Sequence, residues 1–409
     1  MAGSEGEGKE IMKYVLVLGD GMADEPIESL GNRTPLEYAA TPAMDELAKH
    51  GEIGIVHTIP QGMKPGSDTA NLSVLGYDPK QYYSGRSPLE ALSIGVPMKD
   101  TDVSYRVNIV TLDDAEPFEK KTILDHSSSE IDTETSTVLL KEAVKGIEND
   151  EFQFYPGTAY RHCLIWSNGK SVDLSQPHDH LGEVIGPYLP PEPFLSMMKH
   201  SNEVLKNHPI NIERKKKGLN PANCFWFWGA GTKPQLSSFE KKYGKKGVMI
   251  SAVDLLKGLG VGTEMDIVRV EGATGGLETN YEGKAEAAVD ALLNRGYDFA
   301  YIHVEAPDEM GHQGSVEKKV KAIENLDSRV IRIVKEKMDA SGEPYRIAVL
   351  PDHPTPIRVR THTSDPVPYL LYDSTAPEEH SWKYNEKEGR LSGNDIGAGP
   401  NMMKHLFEK

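Results

Sequence analysis

Three runs of aliphatic and β-branched residues stand out along the chain: KYVLVLGDG at 13–21, YDFAYIHVEAPD at 297–308 and YRIAVLPDH at 345–353. Their apolar cores are continuous, where a half-exposed strand would alternate, so each predicts a strand covered on both faces. Between them lie segments of helical period. TPAMDELAKHG (41–51) has a proline near its start and a glycine at its end, and GKAEAAVDALLNRG (283–296) and SVEKKVKAIENLDSRVIRIVKEKM (315–338) each fall between two strand-like runs. Strand and helix alternating with long crossovers predict an α/β fold, a parallel sheet sandwiched by helices. Residues 98–243 follow a different pattern, with shorter alternating runs such as VSYRVNIVTL (103–112) and YRHCLIWSNG (160–169) and more Pro, His and Lys. They predict a smaller α+β domain inserted into a discontinuous one made of 12–97 and 244–409. Residues 1–11 stand apart as an extension or tag.

Composition narrows the classes of function. The 409 residues carry a formal charge of −17, and 38% are hydrophobic. That field repels nucleic acid and anionic membranes, and no apolar run approaches a membrane span. An anionic substrate therefore requires a local group of cations. Two cysteines, Cys163 and Cys224, exclude a disulfide framework and fit a reducing cytoplasm. The expected partner is a small phosphorylated metabolite, with no expectation on oligomeric state.

Each of the three apolar runs delivers an aspartate beyond its end: Asp20, Asp308 and Asp352. In open parallel sheets the ligand crevice lies at that edge. APDEMGHQG adds His312, one helical turn from Asp308, LPDHPTP adds His353, and RTHTSDP adds His362. Three carboxylates and three imidazoles suit Mn²⁺ or Zn²⁺, and six ligands suffice for two ions. A further stretch, PGSDTANLSVLGYD at 65–78, has two readings. Ser67 is either the N-cap of a helix that Gly76 stops, or a nucleophile at a helix N-terminus that welcomes phosphate. The nearby metal donors favour the second, because a divalent ion makes a serine hydroxyl reactive at neutral pH.

With LGDGMADEP, GSDTANLSVLGYDP, GRSPLEA, FYPGTAYRH, QPHDH, FWFWGAGTKPQ, HVEAPDEMGHQG, PDHPTP and THTSDPVP in order, the chain resembles the archaeal-type cofactor-independent phosphoglycerate mutases of the alkaline phosphatase superfamily. The resemblance runs from about residue 12 to the C-terminus. It implies interconversion of 3- and 2-phosphoglycerate through a phosphoserine at Ser67. It also implies two divalent ions, Mn²⁺ first with Zn²⁺, Mg²⁺ or Co²⁺ as substitutes. One metal would be held by Asp308, His312 and His362, the other by Asp20, Ser67, Asp352 and His353. Lys284 would offset oxyanion charge. For the glycerate, the inserted domain offers Arg86, Arg106, His126, Tyr160, Arg161, His162, His178 and Asp179.

Two positions depart from that pattern. Asn71 stands where the family commonly has a histidine, and LDHSSSEID at 124–132 replaces an arginine-rich block. Each lost charged contact would weaken phosphoglycerate binding by about 1.5–3 kcal/mol. An alternative stays open: a phosphotransferase of the same mechanism with another hydroxyl acceptor, such as homoserine, whose ammonium Asp125, Glu130 or Asp132 would hold.

Overall fold

The computed structural model describes residues 11–409; ten of the eleven residues expected to form an extension lie outside them. The described residues form strands β1 (Lys13–Gly19), β2 (Glu52–His57), β3 (Val103–Leu112), β4 (Ile123–Asp125), β5 (Phe152–Tyr155), β6 (Arg161–Trp166), β7 (Cys224–Thr232), β8 (Gly247–Ile250), β9 (Asp266–Val268), β10 (Phe299–Val304), β11 (Tyr345–Leu350), β12 (Val367–Asp373) and β13 (Asp395–Ala398). Two compact units divide the chain: residues up to Tyr83 with Gln235–Lys409, and Ser84–Pro234.

In the first unit an eight-stranded sheet runs β13-β2-β12-β11-β1-β10-β8-β9. The three apolar runs are its centre. β1 pairs in parallel with β10 on one side and β11 on the other, with Gly19 opposite Val304 and Leu18 opposite Leu350. The C-terminal ends of these strands thus lie side by side, and Asp20 continues the ladder by donating its N–H to Val304. The sheet is not wholly parallel, because β12 runs antiparallel to both β11 and β2. No crossover helix separates β11 from β12. The 351–366 segment stays at the end of the sheet where β11 finishes, so β12 returns from there. Aliphatic side chains such as Val15, Val17, Ile302 and Val349 pack with residues of the Tyr281–Asn294 and Val316–Leu326 helices in one core. The long helical pattern at 315–338 forms two helices joined by a π turn, Asp327–Ile331. There the buried Asp327 carboxylate accepts the N–H groups of Ala43 and Met44, at the start of the Pro42–Lys49 helix.

The second unit is a five-stranded sheet in which β3 is central, antiparallel to β4, β6 and β7. Strand alternation sorts its residues. Tyr105, Val107, Leu164, Phe225 and Phe227 face a core shared with Leu139, Leu140 and Phe194. Arg106, Asn108 and Arg161 alternate with them and face the other way. The unit begins and ends earlier than the expected 98 and 243. Ala91 of the Arg86–Ser93 helix packs with Cys163 and Ile165 of β6, whereas Phe239 stacks on Phe299 of β10 in the first unit.

Candidate active site

Six donor side chains from the first unit converge at the C-terminal edge of β10, β1 and β11. Asp20 follows β1, Asp352 and His353 follow β11, and His362 lies in the 351–366 segment. Asp308 is not at the strand end itself. It sits in the first turn of the Ala306–His312 helix, which carries His312 on the same face. Gly21 makes the crowding possible. Its φ is +59°, and a Cβ there would stand 2.5 Å from Asp308 Oδ1 and from Thr355 Oγ1.

Two donor groups emerge. His312 Nε2 and His362 Nε2 are 3.0 Å apart, and they lie 3.2 and 3.4 Å from the Asp308 carboxylate. Asp20, Asp308 and His353 form the second group. Asp308 therefore faces both, a sharing that the two separate ligand sets expected from sequence did not contain. Asp352 Oδ1 accepts the N–H groups of Gly21 and His353, at 3.0 and 2.8 Å, while its Oδ2 lies 3.4 Å from His353 Nε2. The electrostatics fit a cation. Burial, together with Asp352, Asp308 and Glu305, raises the Asp20 carboxyl well above its ordinary range. Burial also pushes Asp308 upward, but hydrogen bonds with His312 and His362 more than reverse it, and the same Asp308 contact raises His312 to about 9. Crowded carboxylates with imidazole nitrogens aimed at common points are a donor set that divalent ions of borderline hardness satisfy.

Ser67 opens the Ser67–Val74 helix as its first residue. The N-cap is Gly66, so the capping reading of Ser67 does not hold. Its hydroxyl instead lies 3.1 Å from His353 Nε2 and 3.5 Å from Asp20 Oδ1. Lys284, fully buried in the Tyr281–Asn294 helix, donates to the His303 carbonyl at 2.9 Å; burial lowers its ammonium to about 8 while Glu305 opposes the shift.

Sequence reasoning overlooked His303. In β10 its Nε2 lies 2.8 Å from Asp20 Oδ2 and its Nδ1 3.0 Å from Ser251 Oγ. Ser251 Oγ also accepts the Val253 N–H, so one chain of hydrogen bonds runs from the Val253 backbone through Ser251 and His303 to Asp20. Burial and Lys284 bring His303 down to about 3, which keeps it neutral. The signal was present: a histidine inside an otherwise apolar strand needs a partner.

In the second unit, the face opposite the aromatic core gathers cations. Arg86 Nε donates to Glu90 Oε1 at 2.9 Å, and Arg106 Nε lies 2.9 Å from Glu90 Oε2. Glu90 is pushed up by burial yet held below its ordinary value by Arg106 and Arg86, so it stays ionised. The Arg106 guanidinium lies 4.2 Å over the ring of Trp228, and that of Arg161 lies 5.0 Å over Tyr160. His126 meets Tyr160 and His178 edge-on, and His178 meets Trp228. Three guanidiniums against one carboxylate leave this face positive. Asp179 is exposed beside His178, 3.8 Å away.

His162 does not join this face. It pairs with Val107, points into the aromatic core, and spends both ring nitrogens: Nε2 lies 2.7 Å from Ser136 Oγ and Nδ1 accepts the Gly157 N–H. Burial lowers it to about 3. It is a neutral core residue, set there by strand alternation. Two of the three acids considered for an ammonium group, Asp125 and Asp132, are committed elsewhere. Asp125 accepts from Ser127, Ser129 and Asn220, and Asp132 caps the Thr133–Ala143 helix.

A family model described as 2,3-bisphosphoglycerate-independent phosphoglycerate mutase matches residues 48–211. A protein of that name from Methanosarcina mazei is 47% identical over 388 residues, spanning 93% of this chain and 96% of its own. Among solved structures, a protein from Pyrococcus horikoshii is 30% identical with a TM-score of 0.80, over 97% of each chain. The cofactor-independent phosphoglycerate mutase of Thermoplasma acidophilum is 27% identical with a TM-score of 0.64, over 97% of this chain and 99% of its own.

Proposed function

Because the chain belongs to the 2,3-bisphosphoglycerate-independent phosphoglycerate mutase family, we propose that it interconverts 3- and 2-phosphoglycerate by way of a phosphoserine at Ser67. The observation that carries this reading is the Ser67 hydroxyl, which touches His353 and Asp20 beside the convergent donors Asp308, His312, Asp352 and His362. Those donors would hold two divalent ions, one chiefly through Asp308, His312 and His362 and the other through Asp20, Asp352 and His353. When bound, such ions lower the pKa of a hydroxyl and neutralise charge on a transferring phosphoryl group.

The residues of the chain supply the rest. Ser67 Oγ bonds to phosphorus as the bond from phosphorus to the substrate oxygen breaks. The proton leaves Oγ, and the glycerate keeps the electron pair of the broken bond and takes up a proton. In the second half, the neighbouring glycerate hydroxyl attacks the same phosphorus and Ser67 departs, so atoms and charge balance without a second phosphorylated molecule. Ser67 stands at the N-terminus of its helix, where unpaired N–H groups favour a phosphate. His303 holds Asp20 in place through one hydrogen bond. Arg86, Arg106 and Arg161, with His126, Tyr160 and His178, would bind the carboxylate and hydroxyls of the glycerate while the phosphoryl group rests on serine. Guanidinium groups suit that anion.

The test uses the Mn²⁺-loaded protein and 3-phosphoglycerate alone. Formation of 2-phosphoglycerate without added bisphosphoglycerate, lost in excess EDTA and regained with Mn²⁺, is the expected result. Turnover that persists in EDTA, or that strictly requires bisphosphoglycerate, overturns the reading. ATP-dependent phosphorylation of homoserine by the same preparation would point to the other acceptor.

A further inference from the structure

Asn71 follows Ser67 by one helical turn and is fully buried. Asparagine is a poor choice for a helix interior unless its side chain has work to do there. Its carboxamide has three partners. Nδ2 donates to the Ser67 carbonyl at 2.8 Å and to Asp352 Oδ2 at 2.9 Å, and Oδ1 accepts the Tyr301 hydroxyl at 2.6 Å. Tyr301 is fully buried in β10, two residues before His303 and on the same face of the strand.

These partners admit one orientation of the amide. Turned over, its oxygen would face two acceptors, the Ser67 carbonyl and the Asp352 carboxylate, and its amino group would displace the Tyr301 proton. The two acceptors thus set the orientation, Tyr301 secures it by donating to Oδ1, and Asn71 ties two groups of the site together. The opposite oxygen of Asp352 is fixed by the backbone of Gly21 and His353. A carboxylate bonded on both oxygens has little freedom to turn.

We propose that Asn71, held from behind by the Tyr301 hydroxyl, is a positioning residue that locks the turn bearing Ser67 to the Asp352 carboxylate, so that hydroxyl and carboxylate keep one register. The effect on catalysis rests on the phosphoserine reading; the effect on metal binding does not. Groups that orient a metal ligand from behind commonly change metal affinity or activity by about 10–100-fold when removed, and the Asn71–Tyr301 pair belongs in that class.

The experiment compares wild type, Tyr301→Phe, Asn71→Leu and the double variant as full-length chains. Mn²⁺ affinity of the metal-free protein is read by electron paramagnetic resonance of free Mn²⁺, kcat and KM are read with 3-phosphoglycerate, and thermal melts check folding. Each single variant is expected to weaken Mn²⁺ binding about 10-fold and to lower kcat by about 10-fold or more, with KM within about twofold. The double variant is expected to be no worse than Asn71→Leu, because Tyr301 acts through Asn71. If Asn71→Leu does not melt cooperatively, Asn71→Ser replaces it, removing the bridge without apolar bulk. A folded Tyr301→Phe with wild-type Mn²⁺ affinity and kcat overturns the proposal, as do losses that multiply in the double variant. Weakened Mn²⁺ binding in both single variants of a chain whose wild type shows no mutase turnover upholds the positioning role and counts only against the mutase reading.

Discussion

Lys284 is held in the fold at a cost in stability, and replacing it with methionine should expose that cost. Its ammonium titrates at about 8 against 10.5 for an ordinary lysine, chiefly because it is buried. At about 1.4 kcal/mol per decade, that difference opposes the folded state by about 3 kcal/mol at pH 7. The unfolded chain binds more protons than the folded one between pH 8 and 10.5, so the penalty fades as pH rises through that window. Between pH 7 and 9.5 the wild type should recover about 2 kcal/mol from this group alone. In Lys284→Met the recovery is absent. The variant also loses the 2.9 Å bond to the His303 carbonyl, worth about 1 kcal/mol. The balance leaves it about 2 kcal/mol more stable than wild type at pH 7. Urea unfolding followed by circular dichroism at pH 7 and 9.5 measures both quantities, the shifted transition being that of the first unit. Phosphoryl transfer should fall by about 10²–10³, the loss expected when one charge-stabilising donor is removed. A variant less stable than wild type at pH 7, or one that keeps the wild-type pH dependence, would refute the burial argument; unchanged transfer would remove Lys284 from the chemistry.

Glu386 should give the opposite pH trend. It is fully buried, accepts from the Asp24 N–H and the Thr34 hydroxyl, and burial raises it from 4.5 to about 7. The folded state holds a proton there between about pH 4.5 and 7, so stability falls by up to about 3 kcal/mol as pH rises through that range. Glu386→Gln keeps the Asp24 N–H at its oxygen and turns the Thr34 contact round, its amide donating to the hydroxyl oxygen, and should flatten this step in melts between pH 5 and 8. In the second unit, Arg161→Ala should raise KM for phosphoglycerate about 10–100-fold, the worth of one charged contact, with the melting temperature nearly unchanged. Arg106→Ala should also lower stability, because it leaves Glu90 with one guanidinium partner fewer in a buried position.

The centre of this fold was legible because β1, β10 and β11 are buried on both faces and are therefore written as unbroken apolar runs. Their order along the chain, and the aspartates that follow them, sufficed to bring Asp20, Asp308 and Asp352 to one edge. The direction of β12 was not legible. Nothing in VPYLLYD records which way it runs; the long loop from Leu350 decides that. Within a strand the error was one of parity. Arg161 and His162 are adjacent in sequence, yet alternation sends one to the cationic face and the other into the aromatic core. Tyr301 and His303 were missed, and Asn71 was noted only as a departure from the family pattern, for a different reason. Each acts on a partner far along the chain, and no local pattern records a hydrogen bond across 230 or 283 positions.

The central claim is that Ser67 carries the phosphoryl group between two positions of one glycerate. Acid quenching of the Mn²⁺-loaded protein during turnover of phosphorus-labelled 3-phosphoglycerate, followed by peptide mass spectrometry, reads this directly. The account predicts label on Ser67, and in Ser67→Ala a folded protein with neither label nor interconversion. Label on a histidine, or undiminished interconversion by Ser67→Ala, would contradict it.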